Sequence, residues 1–250
     1  MMLTSAVRTR AELRLDDNIL PSTAEFTLIA RSLTSGSPFS GSRLVTGPIY
    51  HQWMAKMVWN NLRSDKMDRI EAILARADGQ SGAIRIFHPA KRVPRGVAAG
   101  VNLSNWNPST GASNVGQGSP WSDSTMFSDG FGWSEGSIFA AAGAAAKAGA
   151  DTILIGGLTP SQALGIASGD LLEIGGYLYR ATFDAPSDAQ GFARVPIRPR
   201  LRYDIVSGDQ IRLKDATSPF MFAEDQAGVE YHSRGLSGSF GATLMEIVPF

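Results

Sequence analysis

The chain has 250 residues, enough for one large domain or two small ones that each bury a core. Its 23 basic and 23 acidic side chains cancel, which argues against a dedicated nucleic-acid binder and leaves little repulsion to keep copies apart. There is no cysteine, so disulfide staples, thiolate metal sites and cysteine nucleophiles are excluded.

The first residues, MMLTSAVRTRAELRLDD, have no apolar core of the secretory-signal kind, and no apolar run approaches a membrane span. A soluble protein is expected. The stretch to about Thr23 is weakly patterned and reads as an arm. From Ala24 to Ala30 strand formers dominate, with Phe26 and Leu28 on one face. In YHQWMAKMVWN, Trp53, Ala55, Met57 and Trp59 recur at spacing two, opposite Gln52, Lys56 and Asn60, which predicts a half-buried strand.

A helix follows. Ser64 or Asp65 caps it, Met67, Ile70, Leu74 and Ala77 recur at spacings of three and four, Arg76 sits in the last turn, and Gly79 lies just beyond. GAIRIFHP is then a strand with Ile84 and Ile86 on one face, stopped by Pro89. These elements make a compact α+β or helix-decorated β unit.

The composition changes near Gly96. Residues up to Gly136 are rich in Gly, Ser and Asn and carry Trp106, Trp121 and Trp133. Long stretches without periodicity are usually functional loops or boundary segments. The Ala-rich run 140–148 is a conflict between helix propensity and its glycines, and we read it as a small-residue strand turning through Ala148-Gly149-Ala150. DTILIGG is a strand. In SGDLLEIGGYLYRA, Leu172 and Ile174 share a face, Tyr177 and Tyr179 continue beyond the turn, and Gly175-Gly176 supplies the positive φ angles of a two-residue hairpin. A further strand, a second Ser-Gly-Asp turn at 207–209 and a strand with Ile211 and Leu213 complete a small barrel or sandwich of roughly a hundred residues. Alternation returns in PFMFAED and in SFGATLMEIVPF.

Candidate chemistry is sparse. His51, His88 and His232 have no ligand-type neighbours at i+2 to i+5, so they read as structural rather than zinc-binding. No Gly-x-Ser-x-Gly elbow anchors a triad. A cell-wall hydrolase needs paired carboxylates, and the sequence offers no such motif; Asp170 and Asp209 sit in Gly-Asp turns, where turn chemistry explains them. Arg198, Arg200 and Arg202 alternate and, in an extended strand, form a row on one face. That row is either a phosphate-tracking strip or, the reading we favour, a set of partners for carboxylates of this or a neighbouring subunit. Lys91, Arg92 and Arg95 take the same weighting. Trp106, Trp121 and Trp133 are either anchors for a long loop, which we favour, or a glycan-stacking platform of a carbohydrate-binding module.

From Ala144 to Asp225 the chain resembles a segment common in minor tail proteins of long-tailed bacteriophages. The matching parts are an Ala/Gly-rich lead into a strand and GL, then SGDLLEIGGYLYRA, then an Asp/Ala-rich loop ending at Gly191. VPIRPRLR and a Gly-Asp-containing strand leading to PFMF complete the series. The strand with Trp53, the helix to Gly79 and GAIRIFHP resemble the same proteins more loosely. The resemblance implies a distal tail protein of siphoviruses and gene transfer agents: a mainly β structural virion protein, without enzymatic activity or cofactor, at the tail tip. It implies a β-sandwich-like ring domain with one helix from residues 1–95 and 217–250, and an inserted OB-like or galectin-like β domain over 96–216. It also implies a hexameric ring assembled in the host cytoplasm, wide enough for DNA to pass transiently. The implied partners are the tail tube protein, the tail-tip hub protein and tail fibres, with no membrane. The Trp-bearing segment 100–136 has no counterpart in the pattern.

Overall fold

The structure, a computed structural model, describes residues 12–14, 19–34, 45–77, 79–89, 94–95, 139–224, 229–232 and 237–248. These are mainly β, with one α-helix among the described residues, and they form a seven-stranded open sheet and a closed six-stranded barrel.

The open sheet is built from both ends of the chain. Its strands are β1 (Glu12–Arg14), β2 (Thr23–Thr34), β3 (Val45–Arg63), β4 (Ala83–Phe87), β11 (Thr217–Phe222), β12 (Val229–His232) and β13 (Ser237–Glu246). Their order is β1-β4-β11-β13-β3-β2, with β12 also paired to β13. The predicted alternation of β3 is what the sheet uses. Trp53, Ala55, Met57 and Trp59 are buried, while Lys56 and Asn60 face out. Helix α1 (Ser64–Ala77) packs Met67, Ile70 and Ala77 into the same core, with Leu74 partly buried against it. Asp65 in its first turn and Arg76 in its last complement the helix dipole. Gly79, at φ 63°, takes the left-handed conformation that ends a helix.

The N-terminal arm is a correction. Glu12–Arg14 pair in parallel with Ala83–Arg85 of β4. Three residues are too few to show a period, and their partner lies some seventy residues on, so no local pattern announces them.

The barrel comprises β5 (Phe139–Ala142), β6 (Thr152–Gly156), β7 (Leu171–Ile174), β8 (Tyr177–Ala181), β9 (Ala193–Arg198) and β10 (Gln210–Arg212). It closes in the order β10-β5-β6-β9-β8-β7, every neighbouring pair antiparallel. Ala140, Ala142, Ala181 and Ala193 line its interior beside Ile153, Ile155, Leu172, Ile174 and Val195. A narrow barrel needs small side chains interleaved with large ones. That is why Ala140–Ala142 form a strand despite their helix propensity; the rest of the Ala-rich run departs from the reading, bending at 143–144 and keeping only an isolated bridge from Ala146 to Ile205 before the turn at 148–149.

Sheet and barrel are joined at one place in the register. The chain leaves the sheet after β4 and returns on β11, where Phe87 and Thr217 are cross-strand partners. The whole barrel therefore lies between two hydrogen-bonded neighbours of the open sheet.

Candidate functional site

The hairpin β7–β8 meets both cores. Gly175 and Gly176, at φ 52° and 86°, make its two-residue turn. Beyond the turn, Leu172, Ile174 and Tyr179 fill the barrel, while Leu171 and Leu178 join the core of the open sheet. A strand with both faces buried does not alternate polar with apolar, which explains the near-continuous apolar run in LLEIGGYLY. The turn itself is gripped. The Arg85 guanidinium donates to Gly176 O at 3.2 Å and to Thr217 Oγ1 at 3.2 Å, and lies 3.6 Å from Glu173. Glu173 also accepts from the Thr217 amide and hydroxyl, both at 2.9 Å, and stands 3.7 Å from Arg212, its cross-strand partner.

A second polar knot sits deeper. Glu246 ends β13 fully buried, and its carboxylate is ion-paired with the Arg202 guanidinium. It also accepts from Ser218 Oγ at 2.6 Å and from the Trp53 amide at 3.2 Å. Burial pushes the Glu246 carboxyl above its ordinary range, and Arg202, the Ser218 hydroxyl and the amides pull it back. Trp53 Nε1 donates to Leu178 O at 2.9 Å, and the Arg180 guanidinium stacks 4.7 Å from the Trp53 ring. The Arg202 amide donates to the Tyr179 hydroxyl at 3.1 Å, and burial raises that phenol to about 12. A buried ion pair adds little net stability over apolar packing of the same shape, but removing one partner strands the other charge.

The predicted arginine row is a correction. Strand β9 ends at Arg198, and the following residues form a loop, so Arg198, Arg200 and Arg202 do not share a strand face. They diverge in role. Arg202 is buried on Glu246, Arg198 is half-exposed with Asp151 at 3.9 Å, and Arg200 is exposed. They still converge on one neighbour: the His51 imidazole of β3 is held below its usual value by burial and then by Arg198, Arg200 and Arg202. His88 stacks on Phe26 at 4.7 Å. Asp170 and Asp209 do the turn work expected, accepting from the Ala167 and Val206 amides. Asp170 also accepts from the Arg95 amide at 3.1 Å. Trp106, Trp121, Trp133, Lys91, Arg92 and the His232 side chain lie outside the described residues.

Glu246 was missed from sequence, although SFGATLMEIVPF carries a signal. Phe240, Ala242, Leu244 and Glu246 share one parity and are all buried. An acid at the inward position of an alternating strand points to a buried partner. Among the described residues no three His, Asp or Glu side chains are placed to hold a metal ion. The hairpin leucines, the Arg85–Glu173–Thr217 cluster and the Arg202–Glu246 pair thus form a seam between the two β units. No protein-family model matches the chain, and no curated protein matches it.

Proposed function

We propose that this is a structural ring protein of the distal tail type, which joins a tail tube to a tail-tip hub and performs no catalysis. The observation that supports the reading most is the insertion geometry. One open sheet is assembled from the two ends of the chain, and a complete barrel is carried between the paired residues Phe87 and Thr217. That is the layout expected of residues 1–95 and 217–250 as a sandwich-like ring domain with an OB-like or galectin-like insertion over 96–216.

Strand β2 adds to it. Among the described residues it pairs on one side only, with β3, over twelve residues. Long open edges are aggregation-prone unless a partner covers them, and a closed ring of copies covers them in a bounded way.

Light scattering over a concentration series, with negative-stain images of the same fractions, tests this. Closed six-fold particles of about 160 kDa are expected for copies of 26.6 kDa. A strict monomer at every concentration, also in the presence of tail tube protein, would overturn the reading.

A further inference from the structure

We infer that the rim where β9 leaves the barrel and faces His51 of β3 is a phosphate-binding surface, formed by Arg180, Arg198 and Arg200. The inference is independent of the ring reading. It begins with register: Arg180 of β8 and Arg198 of β9 are direct cross-strand partners, so two guanidiniums leave the same face of the barrel side by side. Like charges placed directly opposite destabilise a sheet unless something neutralises them.

The protein supplies little neutralisation. Glu246 is committed to Arg202, and Asp151 reaches Arg198 only at 3.9 Å, half-exposed. Arg198 instead spends a donor on the carbonyl of its own neighbour Ile197, at 2.9 Å. Arg180 Nε is buried with no hydrogen-bond acceptor among the described residues. In a chain whose total charge is zero, this is a local excess of cation.

The surface is also prebuilt. Arg180 is held against the Trp53 ring. The loop carrying Arg200 is tied down on both sides, before it by Ile197 N to Asp151 O at 2.8 Å, and after it by Leu201 N to Ala150 O at 2.8 Å, Gly149 N to Leu201 O at 2.7 Å and the Ala146–Ile205 bridge. Three guanidiniums present more N–H donors than the two oxygens of a carboxylate can accept. A phosphate, with more acceptor oxygens and charge, matches them better. Its source is either a nucleic-acid backbone or a free polyphosphate.

The test titrates the full chain with sodium tripolyphosphate and, separately, with a short DNA duplex, by calorimetry at low and moderate salt. Three variants accompany the wild type: Arg198→Ala/Arg200→Ala, Arg76→Ala on the exposed face of α1 as a remote control that removes one positive charge, and His51→Gln to assign the histidine resonance. At least a tenfold loss of affinity is expected in the double variant and less than twofold in Arg76→Ala. The bound anion is also expected to raise the His51 pKa in an NMR titration. Binding of the duplex but not tripolyphosphate assigns the phosphate to a nucleic-acid backbone, and the reverse assigns it to a free anion. No binding of either probe, equal losses in the double variant and Arg76→Ala, or binding that leaves the His51 titration unmoved would overturn the proposal.

Discussion

Gly149 and Gly191 have nearly the same backbone conformation, with φ of 87° and 80°, yet quite different surroundings. A Cβ added at Gly149 meets nothing within 4 Å, whereas one at Gly191 would lie 2.3 Å from the Leu158 carbonyl oxygen. That oxygen belongs to a backbone segment whose own amide donates to Gly191 O at 3.0 Å, so it has little freedom to retreat. Gly149→Ala is therefore expected to cost only the left-handed penalty, about 1 kcal/mol. Gly191→Ala adds a backbone collision and is expected to cost at least about twice that. Urea unfolding checks both: the midpoint falls modestly in the first and steeply in the second, with unchanged slope. Equal shifts would mean that the chain near Leu158 relaxes freely.

At the scale of elements, the β7–β8 hairpin does the joining. Leu178 belongs to a barrel strand by hydrogen bonding but to the open sheet by packing, and its carbonyl accepts the Trp53 indole. Leu178→Ala is expected to destabilise the protein by about 2–5 kcal/mol, the usual range for a buried leucine. Ile174→Ala, inside the barrel, is expected to cost a similar amount. The two differ in spectroscopy. Only the Leu178 change should shift tryptophan emission, and the shift should vanish in a Trp53→Phe background. A shift from Ile174→Ala as large as that from Leu178→Ala would count against the two-faced reading.

Much at this scale is legible from residues alone, for identifiable reasons. The β3 stripe, the α1 stripe and the Gly175-Gly176 turn are local patterns with periods of two, three to four, and a fixed dipeptide, and each formed as its pattern predicts. What the pattern does not hold is pairing across long separations. β1 beside β4, Arg85 on the hairpin tip and Glu246 under Arg202 each depend on a partner far along the chain. The arginine row failed for a related reason. Alternation in RPRLR satisfies the period of a strand, but the chain has already left the barrel at Arg198. Spacing can show that side chains are able to share a face; it cannot show that the backbone stays extended.

At the scale of the whole molecule, the question is whether sheet and barrel unfold as one. Three features cross the seam: the hairpin leucines, the Arg85–Glu173–Thr217 cluster and the Arg202–Glu246 pair. The last is the most exacting, because both charges are removed from water. Glu246→Gln keeps the shape of the side chain but leaves the Arg202 guanidinium buried without a counter-charge, at a cost of about 3–5 kcal/mol. The cost falls on the seam rather than on either core. Calorimetry of the wild type is therefore expected to give one transition, and Glu246→Gln two, as the barrel and the open sheet melt apart. Arg202→Met combined with Glu246→Gln removes the stranded charge, so the double variant should regain most of the stability and the single transition. If Glu246→Gln instead melts in one transition at a lower temperature, the hairpin leucines and the Arg85–Glu173–Thr217 cluster carry the coupling without it. The buried pair would then set the angle between barrel and sheet without holding them together.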